Sequence, residues 1–244
     1  KTLMATAIAR IFQDDLGYDS LILCPPALIS MWQRYVDEYH LTARIVPTSQ
    51  AQSVLPDLRR YRLVIIDESH NLRNREGRRY AAIQEYLLKN ESKVVLLSAT
   101  PYNKSYLDLS AQLRLFIPED HDLGIRPEQL MKEMGEAAFI ARYQAGPRTL
   151  TAFEHSGQID DWRDLMRLYL VRRTRSFIIQ NYAKIDAHTG RRFLPMQGGG
   201  ANYFPARVPK TVRFEANAQY SRLYTPEIVD TIPLLHLPRY GLGQ

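Results

Sequence analysis

Four short, mostly apolar runs, each followed by a helical pattern, do most to limit what this chain can fold into. They are Leu21-Ile22-Leu23-Cys24, Arg44-Ile45-Val46, Leu63-Val64-Ile65-Ile66 and Val94-Val95-Leu96-Leu97. Runs of this length without polar alternation suit parallel strands covered on both faces. Helical patterns occupy residues 2–13, 28–39, 50–60 and 76–89. Strand–helix alternation predicts an α/β fold, a parallel sheet flanked by helices with right-handed crossovers. In such sheets ligands collect at the carboxyl ends of the strands. The pattern changes after Pro118. Residues 127–143 and 158–183 read as helices with no strand between them, and 186–205 as a loop rich in turn residues. Residues 207–214 read as a short strand and 217–230 as a helix.

A chain of 244 residues with 45% apolar and 24% charged residues can bury a substantial core. Its apolar runs are too short to span a membrane, and its first residues lack the features of a secretory signal. The single cysteine, Cys24, excludes an internal disulfide and a cysteine-rich zinc site, and points to a reducing compartment. Its place in an apolar run predicts a small buried residue. The net charge of +6 is moderately basic, which is compatible with nucleic acid as a partner without requiring it.

The chemistry concentrates at strand ends. "YRLVIIDESHNLRN" (61–74) sets Asp67 and Glu68 directly after a buried strand, with His70 two residues on. One carboxylate there can hold a magnesium ion that keeps waters and substrate phosphates as its other ligands. The adjacent one can orient or deprotonate an attacking water. The plainer alternative is that Asp67 or Ser69 caps a following helix. Lys1-Thr2 opens a helical segment, as at the tail of a phosphate-binding loop, where the lysine meets phosphates and the hydroxyl meets magnesium. Ser98-Ala99-Thr100 ends the next apolar strand, where small hydroxyls can bond an acid on the neighbouring strand end. Trp32 is expected to pack in the core, and Arg59, Arg60 and Arg62 to form a solvated face.

Taken in order, Lys1-Thr2, "LILCPPALISMWQRYVDEY" (21–39), "PTSQ" (47–50), "VIIDESHNLRN" (64–74) and "LLSATPYNKSYLDLSAQLRLFIPED" (96–120) resemble motifs I, Ia, Ib, II and III of the superfamily two helicases. The Cys-Pro before a tryptophan helix and the Asn-Leu-Arg-Asn after the acids resemble the SWI/SNF-type DNA translocases in particular. "YLVRRTRSFI" (169–178) and "FPARVPKTVRFEANAQYSRLY" (204–224) are similar to that family's later segments. Tyr102-Asn103-Lys104 departs from the Gln and Asn that the family usually shows there.

The resemblance implies a RecA-like ATP-binding lobe over residues 1–120, a helical protrusion and loop over 121–205, and a connector over 206–244 toward a second lobe outside this chain. It implies ATP and magnesium as cofactors, with Lys1 and Thr2 on the nucleotide, Thr2 and Asp67 on the metal, Glu68 as general base, and His70 linking the site to the rest of the motor. Ser98 and Thr100 would couple hydrolysis to DNA contact. Pro25, Ser30, Thr48 and Ser49, with Arg172, Arg173 and Arg175, would touch the phosphate backbone of double-stranded DNA. The activity implied is ATP hydrolysis driving translocation on duplex DNA to remodel protein–DNA complexes, in the cytoplasm of a prokaryote or the nucleus of a eukaryote. The 244 residues alone are expected to turn over little ATP. A strand-separating helicase and a non-catalytic basic DNA-binding module are the alternatives.

Overall fold

The computed structural model describes residues 1–103, 105–173, 175–196, 200–205 and 225. The described residues form two compact units, one over Lys1–Leu165 and one that begins at Met166. The expected strand over 207–214 and, apart from residue 225, the expected helix over 217–230 lie outside the described residues.

The first unit holds strands β1 (Ser20–Cys24), β2 (Ala43–Pro47), β3 (Leu63–Asp67) and β4 (Lys93–Leu97) in one parallel sheet of order β2-β1-β3-β4. This is the parallel, helix-flanked architecture expected of a RecA-like lobe. Helices α1 (Thr2–Leu16), α2 (Ile29–Glu38), α3 (Ala51–Val54) and α4 (Arg78–Asn90) lie between the strands in sequence. Alternate strand residues enter two separate cores. Leu21, Leu23, Val64 and Ile66 pack with Ala51, Leu55, Tyr80 and Ile83 of the α3–α4 side. Ile22, Cys24, Leu63 and Ile65 pack with Ala5, Ala9, Trp32 and Val36 of α1 and α2. Two covered faces explain why the strands read as unbroken apolar runs.

Local chemistry sets the helix limits. Gly17, with φ 66°, stops α1, and the Tyr18 N–H returns to the Phe12 carbonyl. The expected helix over 50–60 is instead one α-turn flanked by 3₁₀ segments, Thr48–Gln50 and Leu55–Asp57, because Pro56 interrupts it.

Beyond the sheet come α5 (Leu107–Leu113), α6 (Glu128–Met134), α7 (Glu136–Tyr143), α8 (Leu150–Glu154) and α9 (Ile159–Tyr169). The single helix expected over 127–143 is two, split at Gly135, whose φ of 82° no continuous helix accepts. The expected helix over 158–183 is likewise two, α9 and α10 (Arg175–Tyr182), and the break falls on the arginine cluster. There Arg172 and Arg175 would stand three apart on one helical face, and like charges at that spacing repel.

The second unit also corrects the loop expected over 186–205. It contains β5 (Lys184–Ile185), β6 (Arg192–Pro195) and β7 (Ala201–Tyr203) in a three-stranded antiparallel sheet. Gly190, with φ 66°, turns the chain between the first two strands.

Candidate functional site

Parallel register gathers the chemical residues on one edge. Cys24 pairs with Pro47, Leu23 with Ile66, and Asp67 with Leu97, so the chain leaves all four strands at the same side of the sheet. Pro25, Thr48, Glu68 and Ser98 therefore begin neighbouring loops.

Strand alternation decides where Asp67 points. Ile66 belongs to the α3–α4 core, so Asp67 faces the α1–α2 side, where Trp32 lies. Asp67 is 4% exposed. Its Oδ2 accepts the Trp32 indole N–H at 3.0 Å, and its Oδ1 accepts the Glu68 backbone N–H at 2.8 Å. Trp32 is fully buried, as expected, but it is also the side chain that fixes the carboxylate. Burial, helped by the Asp67 charge, pushes the Cys24 thiol up to about 11.

Glu68 adopts a left-handed backbone, φ 50°, unusual for a residue other than glycine. That turn lifts its side chain out of the strand plane into a half-buried position between two partners. His70 Nδ1 lies 3.0 Å from Oε2, and the Lys1 ammonium 4.0 Å from Oε1. Lys1 reaches it because α1 packs beside β3 and β4. The Thr2 side chain is partly exposed at the start of α1.

Neither Asp67 nor Ser69 caps the short helix Ser69–Leu72. The buried Ser69 hydroxyl instead donates to Gln112 Oε1 at 2.8 Å. Gln112 Nε2 donates to the carbonyls of Pro101 and Asp108. Among the described residues Ser98 and Thr100 bond no acid: Ser98 Oγ lies 3.4 Å from His70 Nδ1 and accepts the Thr100 N–H at 3.1 Å. Arg73 donates to the carbonyl and to the hydroxyl of Thr100. Its Nε is buried without a hydrogen bond among the described residues. Sequence reading missed Arg73 and Gln112. Arg73 stands in the quoted "NLRN" stretch, whereas Gln112 has no local signal.

Among the described residues no three His, Cys, Asp or Glu side chains converge to hold a metal. The Asp67 carboxylate keeps unused lone pairs beyond its two hydrogen bonds. Its oxygens, like the Thr2 hydroxyl at the start of α1, are hard donors of the kind taken by magnesium, which draws most of its ligands from phosphate and water.

The expected nucleic-acid contacts divide between the units. In the first, Pro25 and Thr48 are half-buried while Ser30 and Ser49 are exposed. In the second, Arg172, Arg173 and Arg175 are exposed. Arg173 lies over the Phe177 ring, and Arg175 lies over Phe204 and donates to the Pro205 carbonyl at 2.9 Å. Arg59, Arg60 and Arg62 are exposed as expected, though Arg59 pairs with Asp19 and Arg60 with Glu91.

No protein-family model matches the chain. A Caenorhabditis elegans protein, the "SWI/SNF-related matrix-associated actin-dependent regulator of chromatin subfamily A-like protein 1 homolog", is 28% identical across 64% of this chain and 24% of its own length. The chain thus spans about a quarter of that relative. A solved structure, the Sulfolobus solfataricus SWI2/SNF2 ATPase core in complex with double-stranded DNA, aligns with a TM-score of 0.49 at 15% identity, covering 77% of this chain and 43% of that one. In sequence, the chain is thus similar to a SWI/SNF-related regulator of chromatin.

Proposed function

We propose that this chain is the nucleotide-binding part of an ATP-driven motor acting on double-stranded DNA. The observation that carries the reading is one sheet edge where a fixed carboxylate, a second carboxylate facing a histidine and a lysine, and a hydroxyl-bearing strand end meet. The sequence likeness to a SWI/SNF-related regulator supports it.

In this reading Lys1 binds nucleotide phosphates, and Thr2 and Asp67 hold magnesium, which supplies charge neutralisation on those phosphates. Trp32 keeps Asp67 aimed. Glu68 takes a proton from, or orients, the attacking water. When phosphate engages Lys1, Glu68 loses that partner and is left with His70. His70 then reports the state of Glu68 to Ser98. Pro25, Ser30, Thr48 and Ser49 contact the DNA backbone, as do Arg172, Arg173 and Arg175; such contacts position the duplex without reading its sequence. A second lobe supplies the remaining groups for phosphoryl transfer.

The test is ATP hydrolysis by the full-length protein with and without duplex DNA. Glu68→Gln is expected to lower the DNA-stimulated rate at least about a hundred-fold, the usual worth of a general base, while nucleotide affinity is kept. An undiminished rate would remove Glu68 from that role. Absence of nucleotide binding in the parent protein would instead favour a non-catalytic DNA-binding module. Separation of duplex strands during hydrolysis would mark a helicase rather than a translocase.

A further inference from the structure

We infer that the α3–α4 side of the sheet carries a second anion site, a cleft that seats a backbone phosphate of duplex DNA. The inference rests on the motor reading above and adds residues that reading does not use.

The cleft has a volume of about 310 Å³ and lies where the loop after β2 approaches the loop after β3 and the start of α4. Ser49, Gln52, Asn71, Asn74, Arg78 and Arg79 supply its polar wall, and no lining residue is acidic. Its floor is buried: Leu72 and Tyr80 belong to the α3–α4 core, and the Tyr80 hydroxyl is already committed to the Ala111 carbonyl. Asn74 Oδ1 accepts the Glu76 N–H at 3.1 Å, which leaves the Asn74 amide hydrogens to donate. The wall therefore offers two positive charges and a surplus of donors.

Some arginines among the described residues are neutralised by a neighbouring acid and others are not. Arg10, Arg59, Arg60, Arg75, Arg114, Arg126 and Arg163 each pair with a carboxylate. Arg78 and Arg79 are exposed, and among the described residues neither has an ion pair. Exposed cations that do not pair internally beside a donor-lined cleft match a phosphate, which Arg binds in a forked geometry.

Two features favour a polymer phosphate over a small metabolite. Ligand pockets for small molecules are mostly apolar and enclosing, whereas this cleft is polar and open. It also includes Ser49, on the same strand-end edge as the other proposed DNA contacts. The nucleotide's phosphates are a poor occupant, because Lys1 heads α1, whose Ala5 and Ala9 pack on the opposite face of the sheet.

The experiment is equilibrium binding of the full-length protein to labelled duplex DNA over a series of salt concentrations. R78Q/R79Q is expected to weaken binding roughly ten-fold or more and to flatten the log–log salt dependence by about one unit, since each neutralised phosphate contributes a slope of about 0.9. DNA-free ATP hydrolysis should stay at the parent rate, which also shows that the variant is folded. R78K/R79K should recover most of the slope. Parent-like affinity and slope in R78Q/R79Q would overturn the cleft assignment alone. Failure of the parent protein to bind duplex DNA would overturn the motor reading together with it.

Discussion

Trp32 carries two duties with one ring. It fills the core beneath α2, and its indole N–H holds a carboxylate that is 4% exposed. A buried hydrogen bond to a charged group is worth about 1.5–3 kcal/mol, and loss of the donor strands the acceptor. Trp32→Phe is therefore expected to lower unfolding stability by about 2 kcal/mol, read as a shifted denaturant midpoint with an unchanged slope. It should also weaken magnesium-dependent nucleotide binding if Asp67 holds the metal. That Trp32 would be buried was legible from its place on an apolar helix face. Its bond to Asp67 was not, because the partners are 35 residues apart and meet only when α2 lies on β3. Strand parity made the Asp67 direction readable after the fact; the left-handed turn at Glu68, an ordinary acid in sequence, was not.

At the scale of elements, long-range caps and tethers hold the helices beyond the sheet. The buried Asp161 on α9 accepts the backbone N–H groups of Gln129 and Leu130 at the start of α6, and the Ser156 hydroxyl. It caps a helix from 31 and 32 residues away, which no local capping signal could show. Asp161→Ala is expected to cost at least about 2 kcal/mol, since three donors lose their acceptor.

The second tether joins α5 to α8. Glu154 pairs with Arg114 at 2.9 Å and accepts from Ser110. Burial pushes the Glu154 carboxyl up, but hydrogen bonds from Arg114 and Ser110 and the charges of Arg114 and Arg75 outweigh it and leave the group below its usual value of 4.5. A depressed folded value means the contribution is present above the unfolded value and is lost as pH falls through the folded one. Stability should thus drop as pH falls below about 4.5. Glu154→Gln should remove that part of the acid dependence, at the cost of on the order of 3 kcal/mol near neutral pH from the buried arginine left behind. Chemical denaturation at pH 7, 4.5 and 3.5 would separate the two effects. The three short strands after α10 escaped sequence reading for a related reason. Their 2 to 4 residues and flanking Arg, Pro and Gly give no apolar period to recognise.

For the molecule as a whole, the four parallel strands were legible because both faces of the sheet are covered, which writes burial into the sequence as continuous runs. Helix continuity after Pro118 was not, since Gly135 and the arginine cluster break patterns that remain apolar on either side. The same double covering has a kinetic consequence. Cys24 is the sole sulfhydryl, it has no exposed surface, and its ionisation is pushed up to about 11. Alkylating reagents attack thiolate, so in the native state this atom is shielded twice, by access and by protonation. Modification should then proceed only through transient separation of α1 and α2 from β1, and its rate at fixed pH becomes a clock for that opening. In the function proposed above, nucleotide held at Lys1 should slow the clock in proportion to occupancy, so a single sulfur atom would time how often α1 and α2 part from β1.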